Sequence, residues 1–245
     1  MARINDIDIS NKALDLRNKL GEDSFSPIDI FSLVQDLKDI TLIMYPLGKN
    51  ISGYCKKYKH TNIIVINSSM TVGRQRFSLA HELYHVFYDT EMTSFVCSNF
   101  NNKALNEQKA DLFASYLLMP QTALSRLNIS KPIKIKDIVR MEQFYHVSRM
   151  AVLYRLLNED IINNSELEAF SNNVRQSAKL LGYDDTLYKP SPESEQYYVY
   201  GKYIVDAEKL LADNKISNGK YEEYLLSAYR DDIVYGFAEG GEIVD

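Results

Sequence analysis

Residues 81–85 are His-Glu-Leu-Tyr-His. On an α-helix, His81 and His85 lie one turn apart on one face, close enough to share a metal ion. Glu82 stands about 100° round the helix from His81, beside the metal rather than on it, where a general base for an activated water belongs. The flanks favour a helix. Phe77, Leu79, Ala80, Leu83, Val86 and Phe87 supply an apolar side, and neither Pro nor Gly occurs from Arg74 to Asp89. Three fixed positions in five are a loose signature, and a buried helix with two satisfied histidines would carry the same string.

A third ligand decides between these readings. Asn106-Glu-Gln-Lys-Ala-Asp111 runs into an apolar stretch that Pro120 ends. Asn106 is expected to cap this second helix and Pro120 to stop it. Glu107 and Asp111 are one turn apart on one face. Glu107 completes the two-histidine, one-glutamate set of a catalytic zinc, one ion per chain, with a fourth position left open. Asp111 can then accept the outward N–H of a ligand histidine and hold its tautomer. Acids at a solvated helix start are the alternative for this pair.

The longer strings Arg74-Gln-Arg-Phe-Ser-Leu-Ala-His-Glu-Leu-Tyr-His85 and Glu107-Gln-Lys-Ala-Asp-Leu-Phe-Ala-Ser-Tyr-Leu-Leu-Met-Pro120 resemble the ImmA/IrrE metallo-endopeptidases, which are glutamate-zincins. The resemblance extends to Ile63–Asn67 before the first helix and to Val147-Ser148, Ala151 and Arg155-Leu156 after the second, covering roughly residues 25–160. It implies zinc on His81, His85 and Glu107 and a base at Glu82. It also implies a protein substrate: a helix-turn-helix repressor of a mobile element or stress regulon. Position 84, often small in that family, is Tyr84 here, on the side of the helix away from the metal.

The rest of the composition narrows the alternatives. At 245 residues, 45% hydrophobic and 25% charged, the chain is ordinary for a globular protein. The start lacks an apolar signal segment and no run is long enough for a bilayer, so the expectation is a cytoplasmic protein without a membrane partner. Cys55 and Cys97 are too few for a disulfide framework. Cys97 falls between the two motifs, where a redox role at the metal competes with an ordinary free thiol. Charge is uneven: residues 161–245 hold 8 Lys or Arg against 16 Asp or Glu, while 121–157 hold 7 against 2. The acidic end argues against nucleic acid as the main ligand.

The elements that must position the motifs follow from pattern. The expected class is α+β: a zincin-like domain over 1–160, with a small twisted antiparallel-type sheet and a pair of active-site helices, then an acidic, mainly helical region over 161–245. A first helix is expected at 9–20 and a second from Ser26-Pro27, with Ile30, Phe31, Val34 and Leu37 as its stripe. Strands are expected at 41–45, 51–58 and 63–67. Three closing helices follow at 121–128, 134–145 and 148–158, the last two spaced like a helix-turn-helix. Lys134, Lys136, Arg140, Arg149 and Arg155 are the candidates there for phosphate contacts. Residues 183–196 form a linker or long loop, and helices at 197–213 and 218–230 carry a cluster of tyrosines that either packs on the catalytic domain or meets a partner. An oxyanion donor could come from His146, Tyr145 or Arg149, with His146 the candidate put forward. The rival to a peptidase is a DNA- or protein-binding regulator, antitoxin-like or sensor-like, whose zinc is structural or idle. A structural site would ordinarily fill all four positions, usually with cysteine, and needs no Glu82.

Overall fold

The structure, a computed structural model, describes residues 6–89, 94–98, 104–126 and 131–236. Its helices are α1 (Asp6–Lys19), α2 (Ile30–Gln35), α3 (Val72–Tyr88), α4 (Leu105–Leu118), α5 (Gln121–Arg126), α6 (Ile135–Tyr145), α7 (Arg149–Asn158), α8 (Asn164–Phe170), α9 (Val174–Leu180), α10 (Lys202–Ala212), α11 (Asn218–Ser227) and α12 (Asp231–Tyr235). The strands are β1 (Ile40–Tyr45), β2 (Ile51–Lys57), β3 (Asn62–Asn67), β4 (Ser94–Ser98) and β5 (Tyr198–Gly201). The class is α+β. Among the described residues no helix is long and apolar enough to cross a membrane.

The five strands form one sheet in the order β4-β2-β3-β1-β5. β2 and β3 make the expected hairpin, with Tyr54 opposite Val65 and Cys55 opposite Ile64. The sheet is mixed, which corrects the antiparallel-type expectation: β1 runs parallel to β3, Leu42 opposite Ile64 and Met44 opposite Ile66. The chain leaves β1 through Pro46–Gly48 and passes to the far side of β3, a crossing that strand alternation does not encode.

The core is continuous across sheet and helices. Leu42, Ile64 and Ile66 of the sheet, Leu79 and Leu83 of α3, Phe113 and Leu117 of α4, and Val152, Leu153 and Leu156 of α7 are all fully buried. Each such side chain contributes about 1.5–3 kcal/mol over its exposed state. Arg17 of α1 clips that helix to its neighbours. Its guanidinium donates to the carbonyls of Asp23, Ser26 and Leu117 at 2.6, 2.5 and 2.6 Å.

Local capping differs from the sequence reading in two places. Ser26-Pro27 precedes α2 rather than starting it, because Asp23 takes the Phe25 and Ser26 amides and the Ser26 hydroxyl. Asn106 lies inside α4, whose N-cap is Ala104. The α6–α7 pair forms as expected, with Ser148 capping α7, but Arg149 and Arg155 are buried and cannot reach a phosphate backbone. Residues 127 and 128 of the helix expected at 121–128 lie outside the described residues.

Beyond residue 180 the chain returns to the start of α3. The Val72 amide donates to the Lys189 carbonyl at 2.8 Å, and Ser68 Oγ to the Gln196 carbonyl at 2.8 Å, so the 183–196 loop is pinned across the start of α3. Residues 198–201, expected as helix, are strand β5 against β1. Gly201 ends it at φ +86°, and a Cβ there would stand 2.9 Å from the Ile40 carbonyl oxygen, so only glycine permits this turn into α10. Tyr197 and Tyr229 pack on Tyr45 of β1, centroids 5.3 and 6.4 Å away.

Candidate metal centre

Asn67, the last residue of β3, begins the positioning of the site. Its buried Oδ1 accepts from the Leu47 and Ser69 amides at 3.1 and 3.0 Å, and its Nδ2 donates to the Gly48 and Ile51 carbonyls at 3.1 and 2.7 Å. One side chain thus holds both the entry to β2 and the exit to α3. Gln75 of α3 extends the brace, donating to the Ser68 and Met70 carbonyls at 3.0 and 2.6 Å. From there α3 packs on β2, β3 and α4, and Tyr84 fills the core against Tyr88 and Phe113, its ring also meeting the His85 ring edge-on with centroids 5.8 Å apart.

His81 and His85 converge with Glu107 of α4. The two Nε2 atoms are 3.2 Å apart; Glu107 Oε2 is 3.4 Å from His81 Nε2 and Oε1 is 3.1 Å from His85 Nε2. All three side chains are buried. The separations can be checked against an ion. Donors at about 2.0–2.1 Å from a tetrahedral zinc lie about 3.3–3.4 Å from one another. The two Nε2 atoms stand near that spacing at 3.2 Å, Glu107 meets the two rings through its two different oxygens, and one ligand atom from each of the three residues lies within 4.8 Å of the others. The residues present fit a small divalent cation.

Both imidazoles turn their other nitrogen to a carboxylate. His81 Nδ1 lies 2.9 Å from Asp111 Oδ1, and His85 Nδ1 lies 3.2 Å from Asp89 Oδ2. With Nδ1 donating, each Nε2 lone pair faces the cluster. Asp111 is the partner the spacing suggested. Asp89 lies outside the motif strings, although a carboxylate four residues after His85 is a legible signal. Asn106 Nδ2 donates to the same Asp89 oxygen at 3.2 Å, and Lys57 Nζ to the Asp89 carbonyl at 2.5 Å. The residue expected to cap α4 therefore braces the site instead.

The charge balance points the same way. Burial alone would lower the His81 imidazole, but Asp111 and Glu107 at bonding distance and the nearby Glu82 charge outweigh it and raise it to about 10. Burial would raise the Glu107 carboxyl, yet the two histidines pull it down to about 2. Glu82 and His85 are fully buried, Asp89 nearly so, and Asp111 is largely exposed. Four carboxylates around two imidazoles leave an excess of negative charge that a dication would neutralise.

The oxyanion candidates are not among the groups brought together. His146 is an exposed, left-handed C-cap of α6 whose charged neighbours are Arg76 and Asp29. Its turn abuts Gly73, eight residues and about 12 Å of helix before His81. Tyr145 is buried with Arg17 as its charged neighbour, and Arg149 is committed to Glu142. The Cys97 side chain lies outside the described residues.

Residues 37–157 match the family model described as the IrrE N-terminal-like domain. Over 133 residues the chain is 29% identical to the radiation response metalloprotease IrrE of Deinococcus deserti, covering 52% of this chain and 46% of that protein. Over 136 residues it is 25% identical to the protein of the same name in Deinococcus radiodurans, covering 54% and 40%. The chain thus spans less than half the length of either relative. Among solved structures, a Mycobacterium tuberculosis transcriptional regulator aligns with a TM-score of 0.44 and 14% identity over 61% of this chain and 46% of its own.

Proposed function

The 37–157 domain of this chain belongs to the ImmA/IrrE metallopeptidase family, and from that premise we propose that the protein is a zinc-dependent endopeptidase that cuts one protein partner, a helix-turn-helix repressor. The observation that carries the reading is the closed triangle of two Nε2 atoms and one carboxylate, each imidazole backed by its own acid, with Glu82 next along the helix.

His81, His85 and Glu107 would hold the ion, which supplies an acidified water and a polarised peptide carbonyl. Asp111 and Asp89 accept from Nδ1 of the two imidazoles and so would turn each Nε2 toward the ion. Glu82 takes the proton of the attacking water as the new C–O bond forms, then passes it to the leaving amine as the peptide C–N bond breaks. Edge strand β4 lies on the β2 side of the sheet, where an extended substrate segment can pair by its main chain. A flexible segment can adopt that form and a compact domain cannot. The acidic 161–245 region, with 8 basic against 16 acidic residues, repels DNA and tolerates a basic DNA-binding protein.

The test is to load the purified chain with zinc and mix it with the helix-turn-helix regulator encoded beside it. Cleavage at a single exposed site is expected, with little digestion of casein-like substrates. Glu82→Gln should keep one zinc per chain and lose cleavage, and His85→Ala should lose the zinc. Equal zinc in wild type and His85→Ala would sink the ligand assignment. Tight, salt-sensitive duplex binding without proteolysis would favour the regulator reading instead.

A further inference from the structure

The strand that faces Glu82 is built around its carboxylate. β2 carries a register shift between Ile51 and Gly53 against β4, where Ile51 pairs with Ser98 and Gly53 already with Cys97. Such bulges re-aim a strand and gather beside functional groups. At the bulge sits Gly53, buried, with no side chain to pack. An ideal Cβ there would lie 2.8 Å from Glu82 Oε1 and 3.3 Å from Glu82 Cγ. A glycine inside a strand marks a place where another group approaches closely, and that group here is the acid assigned as base. Two residues on, on the same face, Cys55 is buried at 2% exposure. Burial first, and the Glu82 charge nearby, push its thiol well above the ordinary range, so it is kept as a protonated S–H beside that acid.

We propose that Gly53 and Cys55 are positioning residues that seat Glu82: Gly53 leaves the space the carboxylate occupies, and the Cys55 S–H donates to it. The inference rests on Glu82 being the base. The seat has a direct physical reason. A glutamate has three rotatable bonds, and a base displaced by about 1 Å costs on the order of 100-fold in rate. A void shaped to one rotamer and a single donor hold it without competing for the proton it must take up. The thiol is a weak donor, which orients the carboxylate with little loss of basicity.

The first measurement needs no substrate. The Cys55 S–H stretching band is identified in the infrared spectrum of the full chain by its disappearance in Cys55→Ser. In Glu82→Gln that band is expected to move to higher frequency, since an amide oxygen accepts less strongly than a carboxylate. An unmoved band would overturn the contact. The second measurement uses the zinc-loaded chain and its protein substrate. Gly53→Ala should lower kcat on the order of 10- to 100-fold at unchanged KM and unchanged zinc content, because only the flexible end of Glu82 has to yield. Cys55→Ala should lower kcat by a smaller factor, and Cys55→Ser, which keeps a donor, should restore it. Wild-type kcat in Gly53→Ala, or a Cys55→Ser no better than Cys55→Ala, would refute the seat. A wild type that binds zinc and cuts nothing would defeat the peptidase reading alone, and a shifted S–H band in that case would still support the Cys55–Glu82 contact.

Discussion

Two carboxylates orient the two histidines, and they do so from unlike surroundings. Asp89 is buried and accepts from both His85 and Asn106. Asp111 has a side chain 64% exposed, so water and salt screen its contact with His81. Removal of a supporting acid typically costs 10- to 100-fold in metal affinity. Asp89→Ala is therefore expected near the upper end of that range and Asp111→Ala near the lower, measured by zinc competition with a chromophoric chelator. A larger loss for Asp111→Ala would show that exposure is not what ranks them. Of this centre, the His81–His85 pair with Glu82 and the Glu107–Asp111 pair are each legible from helical spacing, and the ligand set of a catalytic zinc with the family resemblance joins them. Asp89 obeys the same spacing but lies at the helix end, where a pattern search that stops at the motif does not look. Gly53 and Cys55 sit on another strand, and no local pattern links them to Glu82.

Single elements show where local chemistry overrode the sequence reading. Arg149, a candidate for phosphate contact by type and place, is buried against Glu142 and also donates to the Phe170 carbonyl at 2.9 Å and Ser177 Oγ at 2.8 Å. Tyr188 donates to the same Glu142 carboxylate at 2.6 Å. The α6–α7 pair is thus tied inward to α9 and the 183–196 loop. Glu142→Ala strands a buried guanidinium and should cost about 3–5 kcal/mol, read from the urea midpoint; a loss below 1 kcal/mol would mean that water reaches Arg149. Before α2, Asp23 holds the 23–26 turn while Asp29 takes the N-cap position expected of Ser26, and bonds from the Ser26 hydroxyl and amide hold the Asp23 carboxyl down to about 2. The folded value lies below the ordinary 3.8. Its stabilisation is then fully present above about pH 4 and lost as pH falls through 2. An NMR titration of the Asp23 carboxyl carbon should give a midpoint near 2, and one near 4 would remove the turn.

The molecule joins its ends through the sheet. β5, from beyond residue 197, closes one edge beside β1, while β4 and the helices carrying the candidate ligands lie toward the other. Stability and metal binding should therefore separate. Gly201→Ala places a Cβ against the Ile40 carbonyl at a positive φ and should destabilise by about 1–3 kcal/mol, seen as a lower thermal midpoint, with zinc stoichiometry unchanged. Loss of zinc in that variant would mean that β5 acts on the site itself. The parts of the candidate site are written locally: two histidines one helical turn apart with an acid beside them, and on a second helix a glutamate and an aspartate one turn apart, each set by the 3.6-residue period. The β2–β3 hairpin and the helix order were legible for the same reason. Contacts between segments far apart in the chain were not. The parallel pairing of β1 with β3, the strand at 198–201 and the burial of Arg149 and Arg155 each depend on which surface another segment covers. A period along one element carries no information about its partner, and only the folded packing of the whole chain selects it.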